Sequence, residues 1–418
     1  MKLLSRLLKT VIHVGTLSVI DADGTTHVFQ GSPGPSAAFK ITDKQTYRRL
    51  ALNPELAVGE AVMDGTVQPV DCSLYDVLCL LMTNREHLGD SKWQAVVLGA
   101  NKLARRLHQN NSMRRAQANV AHHYDLSNDL YRMFLDDDMQ YSCAYFRSPD
   151  DTLEQAQLQK KLHIASKLHL KPGQRILDIG CGWGGMAMTL AELEDVEVVG
   201  VTLSAEQLKL ARERVAERGL EGRVRIEAQD YRSVTGPFDR IVSVGMFEHV
   251  GVTHFDAFFG KVHELLKDDG VALLHSIGRR DPPGGTNAWL RKYIFPGGYA
   301  PALSETMASV ERKGLWVTDI EIWRLHYAET LRNWRERFMA NWDRAAALLD
   351  ERFCRMWEFY LVACELNFRI EAGEVFQMQL TRDRSAVPQT RDYMAEVEAR
   401  YLDRLTAPPS VRRHDAAD

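Results

Sequence analysis

From about residue 170 to residue 277, short apolar runs alternate with stretches in which apolar residues recur every three or four positions. The runs are "QRILDIG", "VEVVGVTLS", "RVRIEAQD", "FDRIVSVGMF" and "GVALLHSIG", each ending in polar residues or glycine. Between them lie "MAMTLAELE", "AEQLKLARERVAERG" and "FDAFFGKVHELLKDDG", whose period suits helices with one buried face. Apolar strands separated by amphipathic helices predict an α/β fold with a doubly wound, mainly parallel sheet. Such a sheet takes ligands beyond the carboxyl ends of its strands, so chemistry is sought in the residues that follow each run.

The flanking segments read differently. Residues 12 to about 90 carry shorter strand-like stretches ("GTLSVID", "THVFQG", "AAFKIT") broken by glycine and aspartate turns, then a helical stretch around "SLYDVLCLLM". This predicts a small α+β module over residues 1–95. At its start, "MKLLSRLLKTV" places Leu3, Leu4, Leu7, Leu8 and Val11 on one helical face, with Lys2, Arg6 and Lys9 elsewhere. Arg6 and Lys9 interrupt any signal-peptide core and no small-residue cleavage site follows, so this helix is expected to pack on its domain rather than direct secretion or lie on an anionic membrane.

Residues 96–120 form a basic linker in which Lys102, Arg105, Arg106, Arg114 and Arg115 stand without an acid from residue 99 onward. A solvated helix and a patch for phosphate head groups are both open readings. A catalytic domain is expected over 121–385, with the Pro/Gly-rich "GRRDPPGGTNAWLRKYIFPGGY" as an ordered insertion or lid, mostly helical residues at 328–371, and "VFQMQLTR" as a late strand. Residues 386–418 are expected to hold a C-terminal helix and a disordered tail.

Composition narrows the function. At 418 residues, with 45% hydrophobic and 26% charged, the chain can bury a large core in two or three domains. Basic and acidic residues nearly balance, 52 against 56, which gives no global charge for nucleic acid. No apolar run approaches the roughly 18 residues of a spanning helix. Cys72, Cys79, Cys143, Cys181, Cys354 and Cys364 show no CxxC spacing, so neither a zinc site nor a disulfide framework is expected, and the chain is read as cytosolic and reduced.

The densest signal is "ILDIGCGWGG", residues 176–185. Gly180-x-Gly182-x-x-Gly185 fits a dinucleotide fingerprint, but that site wants an acid at the end of the second strand, where this chain has Thr202, Leu203 and Ser204. The acid instead precedes the glycines, as Asp178-x-Gly180-x-Gly182-x-Gly184, which resembles the first motif of class I S-adenosylmethionine-dependent methyltransferases. That resemblance implies a Rossmann-like class I domain whose glycines let the backbone approach the amino acid part of the cofactor. It also places Asp230 of "AQDY" near adenine.

Several further strings, "YSCAYF", "LDIGCGWGG", "GVTLS", "SVGMFEHVG", "LLHSIG" and "YIFPGG", together resemble the cyclopropane-fatty-acyl-phospholipid synthases and the related mycolic acid cyclopropane synthases, over about residues 119–382. The N-terminal module also looks like the lipid-associated domain of the phospholipid-acting members. By resemblance, the cofactor is contacted by Tyr141, Ser142, Asp178, Gly180, Gly182, Trp183, Thr202, Leu203, Gln207, Gln229 and Asp230. Catalysis is assigned to Cys143, Glu248, His275, the backbone of Ile277, Tyr327 and Tyr124. The implied reaction methylates the cis double bond of an unsaturated acyl chain in a membrane phospholipid. A carbocation forms, and a bound bicarbonate removes the proton that lets the ring close.

Tyr124 and Phe295 match positions near the reacting chain, where an aromatic face stabilises a cation; core packing is the plain alternative for Phe295. The resemblance further implies a homodimer at the inner face of the membrane, with no metal. An alkene methyltransferase that leaves a methylene- or methyl-branched chain is the alternative within the same chemistry.

Overall fold

The computed structural model describes residues 1–90 and 127–406. The basic linker, Tyr124 and the tail from residue 407 lie outside the described residues. Two compact units are present: residues 1–90 with 283–299 and 327–373 in one, and 127–282, 300–326 and 374–406 in the other.

In the first unit, β1 (Val14–Ile20) pairs antiparallel with β2 (Thr26–Gln30) and parallel with β3 (Ser32–Ile41), and the short β4 (Val67–Pro69) closes the sheet against β3. Alternate residues of β1 are buried, the period expected of a strand with one covered face. The N-terminal helix Lys2–Val11 buries Leu4, Leu8 and Val11, one helical stripe, while Leu3 on its flank stays 49% exposed.

The insertion around residue 290 and the helices Glu351–Ile370 and His326–Ala340 pack in this same unit, which differs from a boundary at residue 95. Specific contacts make the grouping. Trp289, 1% exposed, reaches Met63 Sδ with its indole N–H at 3.2 Å. Glu60 accepts from Lys292 Nζ at 2.7 Å and from the Tyr293 hydroxyl at 2.9 Å, and Arg352 reaches Asp64 at 3.0 Å. An indole and a carboxylate from segments more than 200 residues apart are thereby satisfied at once.

The second unit is built on seven strands: β5 (Arg175–Ile179), β6 (Glu197–Thr202), β7 (Val224–Ala228), β8 (Phe238–Val244), β9 (Leu266–Arg279), β10 (Trp316–Trp323) and β11 (Gly373–Thr381). Their order is β10-β11-β9-β8-β5-β6-β7; the pairs among β5 to β9 are parallel, and β10 runs antiparallel to β11. The α/β class expected from the strand–helix alternation is what forms. Strand order reverses at β5, which has β6 on one side and β8 on the other, and this switch point puts a crevice at the carboxyl ends of these strands. Beneath it, the helices Leu153–Leu168 and Gly185–Leu193 bury Leu162, Leu168, Met188 and Leu190 against Ile176 and Val198 of the sheet.

Candidate active site

β5 ends at Ile179 and the chain runs through Gly180 to Gly184 before the helix Gly185–Leu193 begins. Gly180 adopts φ +82°, and a Cβ there would stand 2.7 Å from that of Met246, so only glycine lets the loops after β5 and β8 come this close. At Gly185 a Cβ would fall 2.2 Å from the side-chain nitrogen of Gln140 and 2.4 Å from the Asp138 carboxylate. Bare backbone is needed because two other segments close upon this loop.

The closure leaves a cavity at the carboxyl edge of the sheet. Every residue assigned to the cofactor by resemblance lines it: Asp178, Gly180, Gly182 and Trp183 from the end of β5 onward, and Thr202, Leu203 and Gln207 after β6. Gln229 and Asp230 follow β7, and Tyr141 and Ser142 come from the segment before the helix Leu153–Leu168. Several are held by their neighbours. Thr202 donates its hydroxyl to Gln207 Oε1 at 3.0 Å, and Trp183 donates its indole N–H to Asn128 Oδ1 at 2.8 Å. Asp230 is gripped by the Arg232 guanidinium at 2.6 and 2.8 Å, a two-point pair that fixes the plane of its carboxylate.

Asp178 is the most perturbed of these. It is 2% exposed, and its Oδ2 has no hydrogen-bond partner among the described residues. Burial pushes its carboxyl up to about 7, against the pull of the Lys160 ammonium. A buried carboxyl group that belongs to a cavity wall and keeps an oxygen without a partner among the described residues suits, when ionised, a cationic ligand.

Beside the cavity lies a second cluster. Glu248, in the short turn after β8, accepts the Ile277 N–H with Oε1 at 2.6 Å, while its Oε2 is buried with no partner among the described residues. Burial lifts this carboxyl to about 7. His275 on β9 is 2% exposed; burial holds its pKa well below the ordinary value, so the ring is neutral. Its Nδ1 lies 3.1 Å from the Gln377 amide nitrogen. Trp323 stands edge-on to the ring at 4.9 Å. Cys143 is 1% exposed, with Sγ 3.4 Å from the Ala144 carbonyl. Its neighbour Tyr145 stacks on His163 at 4.5 Å and on His326 at 4.8 Å, pinning the 141–146 segment.

Glu248 is thus bonded to Ile277, and His275 stands two residues before Ile277 on the same strand. Glu248 immediately precedes the cavity-lining His249, as Cys143 follows the cavity-lining Ser142. Tyr327 belongs to the other compact unit, where it packs against Phe368 at 4.7 Å and edge-on to Trp334 at 5.8 Å. Phe295 is in that unit too, edge-on to Tyr360 at 5.8 Å.

Three participants were not singled out from sequence. His249 lines the cavity and is driven down to about 4 by burial; its adjacency to Glu248 was the available signal. Gln140 lines it next to Tyr141. Lys160, wholly buried on the helix Leu153–Leu168, donates to Gln140 and Ser142, and nothing in its local sequence distinguishes it from a solvated lysine.

Comparison with known proteins agrees with this geometry. A family profile described as mycolic acid cyclopropane synthetase matches residues 111–378. The cyclopropane-fatty-acyl-phospholipid synthase of Escherichia coli K12 is 41% identical over 350 residues, covering 83% of this chain and 88% of the relative. The tuberculostearic acid methyltransferase UfaA1 of Mycobacterium tuberculosis is 41% identical over 281 residues, 64% of this chain and 66% of that one. Among solved structures, the mycolic acid cyclopropane synthase CmaA1 complexed with SAH and CTAB superposes with a TM-score of 0.60 at 39% identity, covering 63% of this chain and 97% of that chain. With the family profile matched across most of the chain and a relative of this identity matched across nearly its whole length, the protein belongs to the mycolic acid cyclopropane synthetase family, S-adenosylmethionine-dependent methyltransferases that cyclopropanate lipid acyl chains.

Proposed function

We propose that this enzyme transfers the methyl group of S-adenosylmethionine to the cis double bond of an unsaturated acyl chain in a membrane phospholipid and closes the product to a cyclopropane. The carbon–sulfur bond breaks as the alkene π pair bonds the methyl carbon, leaving S-adenosylhomocysteine and a carbocation. Loss of one proton from the new methyl group then closes the ring, so the balance is alkene plus sulfonium giving cyclopropane, thioether and a proton. An alkene is a weak nucleophile, so binding and orientation carry much of the rate.

The observation that carries this reading is Glu248. A buried carboxyl lifted to about 7, bonded through one oxygen and unpartnered at the other among the described residues, sits one residue from the cofactor cavity and is suited to exchange a proton there. The surrounding donor set fits a bicarbonate: the free Glu248 oxygen can accept its hydroxyl hydrogen, and a neutral His275 presents an N–H donor. Bicarbonate, when bound, supplies the base that takes the methyl proton. The Ile277 amide is committed to Glu248, so it acts by fixing that carboxyl. No described helix is long and apolar enough to cross a membrane; the phospholipid is reached from the surface of the bilayer, at its cytoplasmic face, by a protein we take to be a homodimer.

The 41% identity to a tuberculostearic acid methyltransferase supports a second reading, in which the proton leaves the original chain and a branched product results. Incubation with methyl-labelled S-adenosylmethionine and vesicles of unsaturated phospholipid, followed by proton NMR of the acyl chains, separates the two. Shielded ring-methylene signals are expected; vinylic or exocyclic methylene signals as the main product would replace ring closure by branching while leaving methyl transfer in place.

A further inference from the structure

Lys160 has none of its surface exposed, yet its ammonium donates to Gln140 Oε1 at 2.6 Å and to Ser142 Oγ at 2.8 Å, both on residues that line the cofactor cavity. The same helix grips that segment a second time, for Gln157 donates to the carbonyls of Gln140 and Ser142 at 3.2 and 3.0 Å. A neutral glutamine thus already ties the backbone down. Burying a full charge next to it costs far more than burying an amide, so the charge needs a use of its own.

The groups that feel it lie on four elements. Asp136, Asp138 and Cys143 face it from the 136–143 segment, Asp178 from β5 and His275 from β9, while Lys161 opposes it from its own helix. Asp136 is bonded to the Gln140 amide, and Asp138 is paired with Lys161, Arg214 and Arg218. His275 is neutral. Asp178 alone among the acids lines the cavity and keeps a buried oxygen without a partner among the described residues.

We propose that Lys160 is a positioning residue for the cofactor: it fixes the Gln140–Ser142 wall and supplies the counter-charge that keeps Asp178 a carboxylate toward the cationic S-adenosylmethionine. The proposal rests on reading this cavity as the cofactor site. Its signature is in pH. Burial pushes Asp178 up and Lys160 down, each to about 7; the Lys160 charge favours the Asp178 carboxylate, while the Lys160 charge is itself favoured chiefly by Asp136. Asp178 gains a proton as pH falls, so affinity for the sulfonium cofactor falls on the acid side of neutrality, and above about pH 7, where Lys160 loses its proton, Asp178 is already ionised and affinity levels off. Without Lys160 this acid limb moves to higher pH. Asp178, having lost its counter-charge, then ionises only at higher pH, and affinity climbs steadily into the alkaline range.

Calorimetric titration of the full chain with S-adenosylmethionine, from about pH 5.5 to about pH 9.5, tests this with the unsubstituted protein, Lys160→Met and Ser142→Ala. Lys160→Met is expected to bind roughly tenfold more weakly at neutral pH, with affinity rising through pH 9. The proposal is overturned if its profile matches the unsubstituted chain, or if it is weaker by a constant factor at every pH, which is what lost packing alone would give. Should Lys160→Met fail to fold, Ser142→Ala decides: removing one acceptor of the ammonium leaves less counter-charge at neutral pH and moves the acid limb to higher pH, and an unmoved limb overturns the proposal. If the unsubstituted chain binds no S-adenosylmethionine at any pH, the cofactor reading itself falls, a result distinct from either of these.

Discussion

Replacing Glu248 by glutamine separates the chemistry of this carboxyl from its structural cost. The amide has nearly the same volume and keeps an oxygen to accept the Ile277 N–H that Glu248 now holds at 2.6 Å. What disappears is the ability to exchange a proton, so turnover on phospholipid vesicles should fall by about 10²–10⁴-fold, the usual worth of positioned acid–base catalysis. Glu248 is not among the residues that line the cofactor cavity, and S-adenosylmethionine affinity should stay within about twofold. Stability should move the other way. Burial raises the carboxyl from 4.5 to about 7. Keeping it ionised at alkaline pH therefore works against folding by about 3 kcal/mol. That penalty is absent below about pH 4.5, grows as the unfolded chain ionises, and is complete above about pH 7. The variant has no such penalty, so its advantage should be small at acid pH and largest at pH 8. Urea unfolding at about pH 5 and about pH 8, set beside cofactor calorimetry, reads both effects. A stability difference that does not change with pH, or lost cofactor affinity with turnover intact, would refute the role given to Glu248.

Three other outcomes are expected. Gly185→Ala pushes a methyl group to within 2.2 Å of Gln140 Nε2, and should weaken S-adenosylmethionine binding and lower stability by about 1–3 kcal/mol, read by calorimetry and urea unfolding. His163, held between Glu398 at 2.8 Å and Glu321 at 2.7 Å, has its pKa raised by these bonds against burial. Its contribution is complete below the unfolded value of 6.5 and lost as pH rises through the higher folded value, so His163→Gln should cost about 2 kcal/mol at pH 6 and clearly less at pH 9, by thermal unfolding. Deleting residues 1–95 should impair turnover on vesicles more than cofactor affinity, and it should also expose Trp289 and Glu60's partners Lys292 and Tyr293, raising binding of a hydrophobic dye; equal vesicle activity in the truncated protein would count against a lipid role for the module.

Strands β5 to β9 and the glycine loop were legible because β5, β6, β8 and β9 carry apolar runs bounded by breakers, a pattern set by burial on both faces, while the edge strand β7 alternates. β10 escaped. Its string "WVTDIEIW" carries Asp319 and Glu321 inside the strand, and only the fold shows that these acids are answered by Lys167, buried on the helix Leu153–Leu168, and by Arg391. Unit membership of residues 283–299 was equally hidden, since it depends on Met63 and Glu60 meeting Trp289, Lys292 and Tyr293 across more than 220 positions of sequence. Within the site, residue identities were readable by resemblance, but protonation was not: the shifts at Asp178, Glu248 and His249 are consequences of burial, which no local string encodes.

Those shifts all favour the uncharged form, which suits the proposed reaction. A sulfonium methyl donor and a carbocation are both strong electrophiles, and any good nucleophile beside them would be alkylated in place of the alkene. The cavity keeps its nucleophiles weak. Cys181 lines it, and burial holds its thiol well above the ordinary value, so little thiolate forms. His249 also lines it, as a ring whose affinity for a proton has been driven down to about 4, and a base that binds a proton weakly generally attacks carbon weakly as well. Asp178, near 7, is ionised only in part at neutral pH, as is Glu248 beside the cavity. On the proposed reading, the same burial that makes each group costly to the fold leaves the alkene, itself a poor nucleophile, with few competitors for the methyl group.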